Sequence, residues 1–189
     1  MKVDLTDLRE AIAYAPQDNF LFSDSVEGNI AFSAPAPERP LVVEAAEFSD
    51  IAANIDAFPA AYQMLTGERG VSLSGGQKQR ISLARAYYKK APILLMDDTV
   101  SAVDVKTEEN ILSHVAKARA GKTTIVIASR VSTIRHFDKI LVLAEGRAEA
   151  FGTHEELLEK SPTYQKMVYL QQLEAEAQEG GKPWTKSRN

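Results

Sequence analysis

The sequence has no cysteine among its 189 residues. A disulfide scaffold and a zinc site built on cysteine are therefore excluded. It also lacks any apolar run near the roughly 18 residues that a membrane-spanning helix needs, and no apolar stretch follows Lys2, as a signal peptide would require. We expect any link to a membrane to come through a partner or through sequence outside this chain.

Basic residues are fewer than acidic ones, 22 against 26, which gives a formal net charge of −4. A nucleic-acid-binding protein normally presents a basic face, so this balance argues against nucleic acid as a partner. Hydrophobic residues make up 44% of the chain. That content and length suffice for one compact domain with a real core.

Three continuous apolar runs, residues 93–96, 124–128 and 139–143, stand between stretches with helical spacing. A continuous run, as opposed to an alternating one, is typical of a parallel strand buried on both faces. The spacing of apolar residues predicts helices over 77–90 and 105–119. Strands that alternate with helices predict an α/β fold with a parallel sheet.

The two ends of the chain give weaker signals. Residues 6–14 have the pattern of a short amphipathic helix that runs into a strand. Near the other end, the segment that starts at Thr153 has the spacing of a capping box and predicts a C-terminal helix. Residues 174–189 are polar and are expected to form a disordered tail.

Polar residues follow two of the predicted strands. Asp97 and Asp98 close the first run, and Ser129 follows the second. Ligand chemistry in parallel α/β sheets gathers beyond the carboxyl ends of the strands. A carboxylate at such a position can hold Mg²⁺, and a second can polarise an attacking water. The alternative is a solvated acidic turn that caps the next helix.

The segment Ser74-Gly75-Gly76-Gln77 opens a predicted helix. Glycines there leave backbone N–H groups accessible, and the helix dipole adds partial positive charge, so the segment suits a terminal phosphate. Ser74 adds a hydroxyl donor. The alternative is a glycine-rich turn before an ordinary helix.

Taken in order, four segments resemble the nucleotide-binding domain of ABC transporters. Pro16-Gln17-Asp18 is similar to the Q-loop, residues 73–77 to the signature motif, 93–98 to the Walker B strand and 101–104 to the D-loop. The similarity covers most of residues 8–170. Four motifs in the family's order are far more specific than any one of them.

Further segments resemble the exporter branch of the family. Residues 19–26 with Asn29-Ile30 are similar to the segment after the exporter Q-loop. Residues 66–70 are similar to an exporter loop that touches the transmembrane partner. Residues 151–157 resemble the family's closing segment.

The resemblance implies a P-loop NTPase-like ABC ATPase core over residues 1–173, with a helical subdomain over about 20–90. It implies a second nucleotide-binding domain, paired head to tail, and the transmembrane domain of an exporter as partners, at the cytoplasmic face of a membrane. ATP would lie between the paired domains, and its hydrolysis would drive export.

The resemblance also assigns roles to single residues. Those of the signature would bind the ATP held by the partner domain. Gln17 would sense Mg²⁺ and the attacking water, Asp97 would hold Mg²⁺, and Asp104 would couple the two sites. The signature residues are Ser74, Gly75, Gly76 and Gln77.

The family's Walker A loop, Gly-x-x-x-x-Gly-Lys-Ser/Thr, has no match in this sequence. Gly121-Lys122-Thr123 matches the last three residues of this pattern. The pattern also requires a glycine at position 116, which is Ala116 here, and a strand before the loop, whereas this triplet follows a predicted helix. We therefore reject it as a Walker A loop. We therefore expect a chain truncated before the Q-loop, without the N-terminal strand and the Walker A region. Its sheet should be partly uncovered, and the chain alone should be inactive.

Two departures affect the nucleotide site itself. Asp98 replaces the family's catalytic glutamate, and a carboxylate misplaced by about 1 Å can cost on the order of a hundredfold in rate. Ser129 replaces the switch histidine and cannot carry positive charge. The three histidines lie elsewhere, at His114, His136 and His154.

Both departures fall on one nucleotide site, whereas the signature is intact. This pattern resembles the degenerate half of a heterodimeric exporter, in which one site binds ATP with little turnover. Neutral decay of a gene fragment is the alternative. Two other functions stay open: a non-catalytic regulatory ABC module, and a soluble ABC ATPase of the DNA-repair type. The interval between Gln17 and Ser74 lacks heptads and contains prolines, which disfavours the last.

Overall fold

The computed structural model describes residues 3–70 and 72–180, without the side chains of Arg69 and of residues 178–180. The chain divides into two compact units, Met1–Ile127 and Ala128–Asn189. No helix within the described part of the chain combines the length and the apolar character needed to cross a membrane.

The first unit is built on a parallel sheet of three strands: β1 (Ile12–Ala15), β2 (Ile93–Asp97) and β3 (Thr123–Ile127). The strands lie in the order β1-β2-β3. Ala15 pairs with Met96, so the ends of β1 and β2 lie side by side. The predicted α/β fold with a parallel sheet is confirmed.

Helices cover one face of this sheet. α5 and α6 pack on the face that holds the side chains of Ala13 and Met96, and the contact includes Leu83 and Ile111. The helices of the first unit are α1 (Leu5–Ala11), α2 (Val26–Ile30), α3 (Arg39–Phe48), α4 (Ala52–Asp56), α5 (Gly75–Tyr88) and α6 (Val105–Ala118), with single 3₁₀ turns at Ala61–Gln63 and Glu68–Gly70.

A second apolar cluster joins α2, α3, α4 and α5. Leu21, Ile30, Ile51, Ile55 and Ile81 are fully buried in it. These residues lie within 20–90, the range assigned above to a helical subdomain. The chain between β1 and α5 thus contributes to an apolar core of its own, and α5 contributes to both cores.

The other face of the sheet is partly open in the described structure. Ile125 and Ile127 of β3 are 50% and 52% exposed, and Tyr14 of β1 is 50% exposed. Strands of parallel sheets are normally covered on both faces. The exposure agrees with the predicted incomplete cover of the sheet.

The second unit contains α7 (Val131–Ile134), β4 (Ile140–Ala144), β5 (Arg147–Gly152), α8 (His154–Lys160) and α9 (Pro162–Gly180). β4 and β5 pair antiparallel. The prediction of a parallel strand buried on both faces over residues 139–143 is therefore wrong, and Leu141 and Leu143 are 53% and 66% exposed. Glu145 and Gly146, with φ values of 48° and 71°, form a tight turn that reverses the chain into a hairpin.

The predicted capping box at the start of α8 is present, because Thr153 accepts from the Glu156 N–H and the Glu156 side chain accepts from the Thr153 N–H. The polar tail was expected to begin at Glu174, but α9 continues to Gly180. Alanine, glutamate and glutamine, which fill residues 174–179, favour helix intrinsically. Residues 181–189 of the expected tail lie outside the described residues.

Candidate functional site

Asp97 is the last residue of β2 and is half-buried. The Tyr14 hydroxyl donates to Asp97 Oδ2 across 3.0 Å from the neighbouring strand. This contact raises the pKa of the Tyr14 phenol, since the ionised phenol would lose its acceptor and face the carboxylate. The contact fixes the Asp97 carboxylate at the carboxyl edge of the sheet, where the sequence predicted a metal-binding oxygen.

Asp98 starts a tight turn over residues 98–102, called here the 98–102 turn. Its φ is +49°, in the left-handed region that a residue with a side chain adopts at a cost. The Asp98 N–H donates to Ile127 O across 2.9 Å, and the Ser101 hydroxyl donates to Asp98 O across 2.9 Å. Bonds on both sides of the peptide therefore hold the strained conformation in place.

Gln79, on α5, fixes the same turn from the other side. Its side chain is buried, with 4% exposed. Gln79 Nε2 donates to Asp98 O at 3.3 Å and to Ser101 Oγ at 3.1 Å. Gln79 Oε1 accepts from the Ala102 N–H at 3.0 Å. One amide thus satisfies polar groups along the whole turn.

Ser74 is the N-cap of α5. Its hydroxyl oxygen accepts from the Gln77 N–H, and Gln77 Oε1 accepts from the Ser74 N–H. Gly75 and Gly76 occupy the first helical positions, where backbone N–H groups lack acceptors within the helix. The Ser74 hydroxyl hydrogen is still able to donate, so the capping role and the proposed anion-binding role are compatible.

The close approach of two backbones explains the second glycine. A Cβ at Gly76 would lie 2.9 Å from Ala102 O and 3.4 Å from Val103 Cγ1. A contact under 3.0 Å with a backbone atom would force the helix away from the 98–102 turn. Gly76 therefore lets the first turn of α5 lie directly against that turn.

Asp104 is the N-cap of α6. Its Oδ1 accepts from the Thr107 N–H at 3.0 Å, and its Oδ2 accepts from the Thr107 hydroxyl at 2.7 Å. These bonds hold the pKa of the Asp104 carboxyl below its usual range. The predicted coupling residue thus has a structural role as a cap.

Gln17 lies in the loop directly after β1 and is exposed. Its carbonyl accepts from Asn19 Nδ2 at 3.0 Å. Because Ala15 pairs with Met96, Gln17 and Asp98 extend beyond neighbouring strand ends. The sheet therefore directs three predicted residues, Gln17, Asp97 and Asp98, to one edge.

A half-buried arginine, Arg85, supports the segment that follows Gln17. The Arg85 guanidinium donates to Asn29 O at 2.8 Å, Asn29 Oδ1 at 2.7 Å and Phe20 O at 2.9 Å. It also lies 5.2 Å from the centre of the Phe22 ring, which stacks on Phe32. Burial lowers the pKa of Arg85 to about 10. Phe20, Phe22 and Phe32 consequently form an exposed but well-anchored aromatic patch.

Ser129 belongs to the second unit and is exposed. Gln171 on α9 holds the backbone around it: Gln171 Nε2 donates to Ser129 O at 2.9 Å, and its Oε1 accepts from the Val131 N–H at 2.8 Å. Gly121-Lys122-Thr123, rejected above as a phosphate loop, joins α6 to β3.

The residues of the first unit form two neighbouring groups. The first group is Asp97 and Asp98 at the sheet edge. The second is the first turn of α5, which lies against the 98–102 turn; Asp104 follows that turn by two residues in the sequence. Within residues 3–70 and 72–180, no cluster of three or more acidic or histidine side chains suits a metal ion. A single Asp97 carboxylate fits Mg²⁺ only where phosphate or water oxygens complete its coordination.

Sequence reasoning missed Gln79, Arg85 and Gln171. Each acts through hydrogen bonds to the backbone of a distant segment, which leaves no local pattern. The signal for Gln79 and Arg85 was their presence on an apolar stretch of helix, since a buried polar side chain must find partners.

The ABC transporter family model matches residues 2–101. The chain is 41% identical over 166 residues to a putative multidrug export ATP-binding/permease protein, YgaD, of Bacillus subtilis (strain 168), covering 88% of the chain and 29% of that protein. It is 43% identical over 174 residues to an ATP-dependent lipid A-core flippase of Hahella chejuensis, covering 92% and 30%.

A solved structure, that of a bacterial Atm1-family ABC exporter with ATP bound, matches with a TM-score of 0.86 and 43% identity. The match covers 89% of this chain and 30% of that one. The chain thus spans less than a third of the length of these relatives.

Proposed function

Because this chain belongs to the ABC transporter family, we propose that it is the ATP-binding part of an ABC exporter and contributes to composite ATP sites. The observation that carries the proposal is the contact between the first turn of α5 and the 98–102 turn, with Asp97 at the adjacent sheet edge. Residues for an anion and residues for Mg²⁺ chemistry thus occur on one framework.

The proposed roles are those that the resemblance to the family implies, and the positions of the residues are compatible with them. Ser74, Gly75, Gly76 and Gln77 bind the terminal phosphate of an ATP held by a second nucleotide-binding domain. Asp97 and Gln17 bind Mg²⁺, which would neutralise phosphate charge when bound. Asp98 occupies the position of the general base, and Asp104 lies where the two domains meet.

Asp98 and Ser129 support a finer proposal, that the chain's own ATP site is the degenerate one of a heterodimeric exporter. An aspartate reaches less far than a glutamate, and serine supplies no charge near a phosphate. The partner is then a different nucleotide-binding domain, and a transmembrane domain places the assembly at the cytoplasmic face of a membrane.

ATP turnover by the assembly that contains this chain tests the proposal. In Ser74→Arg the bulky cation fills the anion site, and turnover should fall by about a hundredfold, as for other losses of transition-state contacts. Ser113→Arg on the exposed surface of α6 introduces the same side chain away from the site and should leave turnover unchanged. Equal turnover in the two variants would refute the proposal.

The same assay tests degeneracy. Replacing Asp98 by Glu and Ser129 by His together should raise turnover, because both changes restore groups that act in the transition state. A non-catalytic regulatory module is the second candidate, favoured by the same two residues. It predicts that the double variant gains no turnover and that Ser74→Arg changes only the activity of a partner.

A further inference from the structure

Gln79 lies on α5 two residues after the proposed anion site, Ser74–Gln77, and both polar atoms of its amide group bind the 98–102 turn. Its Nε2 donates to Asp98 O and Ser101 Oγ, and its Oε1 accepts from the Ala102 N–H. The side chain is 4% exposed, so these bonds are shielded from competing water.

The first turn of α5 touches the same segment directly. A Cβ at Gly76 would meet Ala102 O at 2.9 Å, so the space between the two backbones is too small for a side chain. If α5 moves towards the 98–102 turn, Gly76 therefore pushes that turn away. If α5 moves away from the turn, the hydrogen bonds of Gln79 draw the turn after it.

The turn responds because it is strained. Asp98 has a φ of +49°, and Gln79 supplies one of the bonds that keep its carbonyl in that orientation. The direction of the Asp98 side chain depends on this backbone conformation. Loss of the Gln79 bonds frees the turn to relax towards ordinary dihedral angles.

We propose that Gln79 is a positioning residue that links, within one chain, the anion-binding turn of α5 to the 98–102 turn that carries Asp98. The inference rests on the proposed function and extends it: a phosphate bound at Ser74–Gln77 pulls on α5, and Gln79 transmits that change to Asp98 and Ala102. One composite site thereby senses the other through a single buried amide.

Two substitutions separate the contributions of the donor and the acceptor of the Gln79 amide. Gln79→Leu removes donor and acceptor at nearly constant size. Gln79→Glu retains an acceptor for the Ala102 N–H but places an oxygen opposite Asp98 O, where a donor is needed. Ser82→Ala is the matched control, because Ser82 is also buried on α5 and its hydroxyl has no hydrogen-bond partner in the described structure.

The first measurement needs no nucleotide and uses the 189-residue chain. Amide hydrogen exchange at Ala102 should be at least about tenfold faster in Gln79→Leu and within about threefold of wild type in Gln79→Glu, since only the former loses the acceptor. Ser82→Ala should match wild type. Unchanged exchange at Ala102 in Gln79→Leu overturns the inference whatever the chain's function.

The second measurement uses the assembly with its partner and MgATP. Both Gln79 variants should lower kcat by about tenfold or more with KM within about twofold, because the first turn of α5 loses its fixed position against the 98–102 turn and no longer orients the phosphate of the ATP held by the partner domain, while that ATP still binds. MgATP should slow exchange across residues 98–102 in wild type and not in Gln79→Leu. If wild type turns over no ATP, the proposed function fails; if wild type is active and both variants keep its kcat, this inference alone fails.

Discussion

At the scale of single residues, Tyr87 shows how one hydroxyl couples stability to pH. It stacks on Phe48 with ring centres 3.8 Å apart, and its hydroxyl donates to Glu44 Oε1 at 2.7 Å. Burial, followed by the bond to Glu44, raises the pKa of Tyr87 to about 12. The neutral phenol is therefore favoured in the folded state.

The sign of the pH effect follows from that direction. A folded-state pKa above the ordinary value means that the stabilisation is complete below about pH 10 and is lost as pH rises towards 12. The stability of the wild-type chain should fall over this window. Tyr87→Phe should be less stable by about 1 kcal/mol at neutral pH, where a hydrogen bond is lost, and should lose less on alkalinisation.

Urea unfolding of both chains between about pH 8 and pH 11.5 measures the difference. Tyr169→Phe is the control, because Tyr169 is 59% exposed on α9. The explanation fails if Tyr87→Phe and wild type lose stability in parallel throughout the alkaline range.

At the scale of elements, α6 depends on the cap that follows the 98–102 turn. Asp104 accepts from both the N–H and the hydroxyl of Thr107. Asp104→Ala should lower the free energy of unfolding by about 1 kcal/mol, the usual cost of a lost N-cap. Asp104→Asn keeps an oxygen acceptor for the Thr107 N–H and should lose much less. The urea midpoint of each variant, at unchanged m-value, gives the comparison.

The result also bears on function. If Asp104→Ala is as stable as wild type, the cap contributes nothing and any effect of that variant on ATP turnover belongs to the site alone. If both variants are equally destabilised, the charge on Asp104 matters more than its hydrogen bonds, contrary to the geometry.

Elements with one dominant pattern were predictable from sequence. The apolar run 93–96 and the helical spacing of 105–119 gave β2 and α6, because burial on both faces or on one stripe fixes the period of apolar residues. The pairing of β4 was not predictable from its own residues. Its direction is set by β5, Arg147–Gly152, whose alternating polar and small residues give only a weak strand signal.

The candidate site followed the same division. Asp97 and Ser74 were predictable, since a residue at a strand end or a helix cap takes its position from local structure. Gln79 and Arg85 were missed, because their partners lie 19 to 65 residues away in the chain. Only the three-dimensional structure shows which backbone groups form hydrogen bonds with these two side chains.

At the scale of the whole molecule, the exposed apolar side chains of β3 determine how the isolated chain is expected to behave in solution. Ile125 and Ile127 expose half their surface on β3, and in the described structure β3 pairs with β2 alone. An open strand edge with exposed apolar residues is a template for pairing with another chain. We expect the isolated 189-residue chain to self-associate as its concentration rises.

Substituting both Ile125 and Ile127 by Thr should shift the chain towards monomer, because threonine keeps the β-branched shape but removes apolar surface. Val105→Thr makes the same kind of change at a 66% exposed site at the start of α6 and should not alter association. Sedimentation velocity over a range of concentrations measures the outcome. If the double variant associates as strongly as wild type, β3 is not the contact; if Val105→Thr alone abolishes association, the contact lies on α6. If neither the double variant nor Val105→Thr changes association, another exposed apolar surface makes the contact, and the exposed side chains of Leu141, Leu143 and Phe151 on β4 and β5 are the next to substitute.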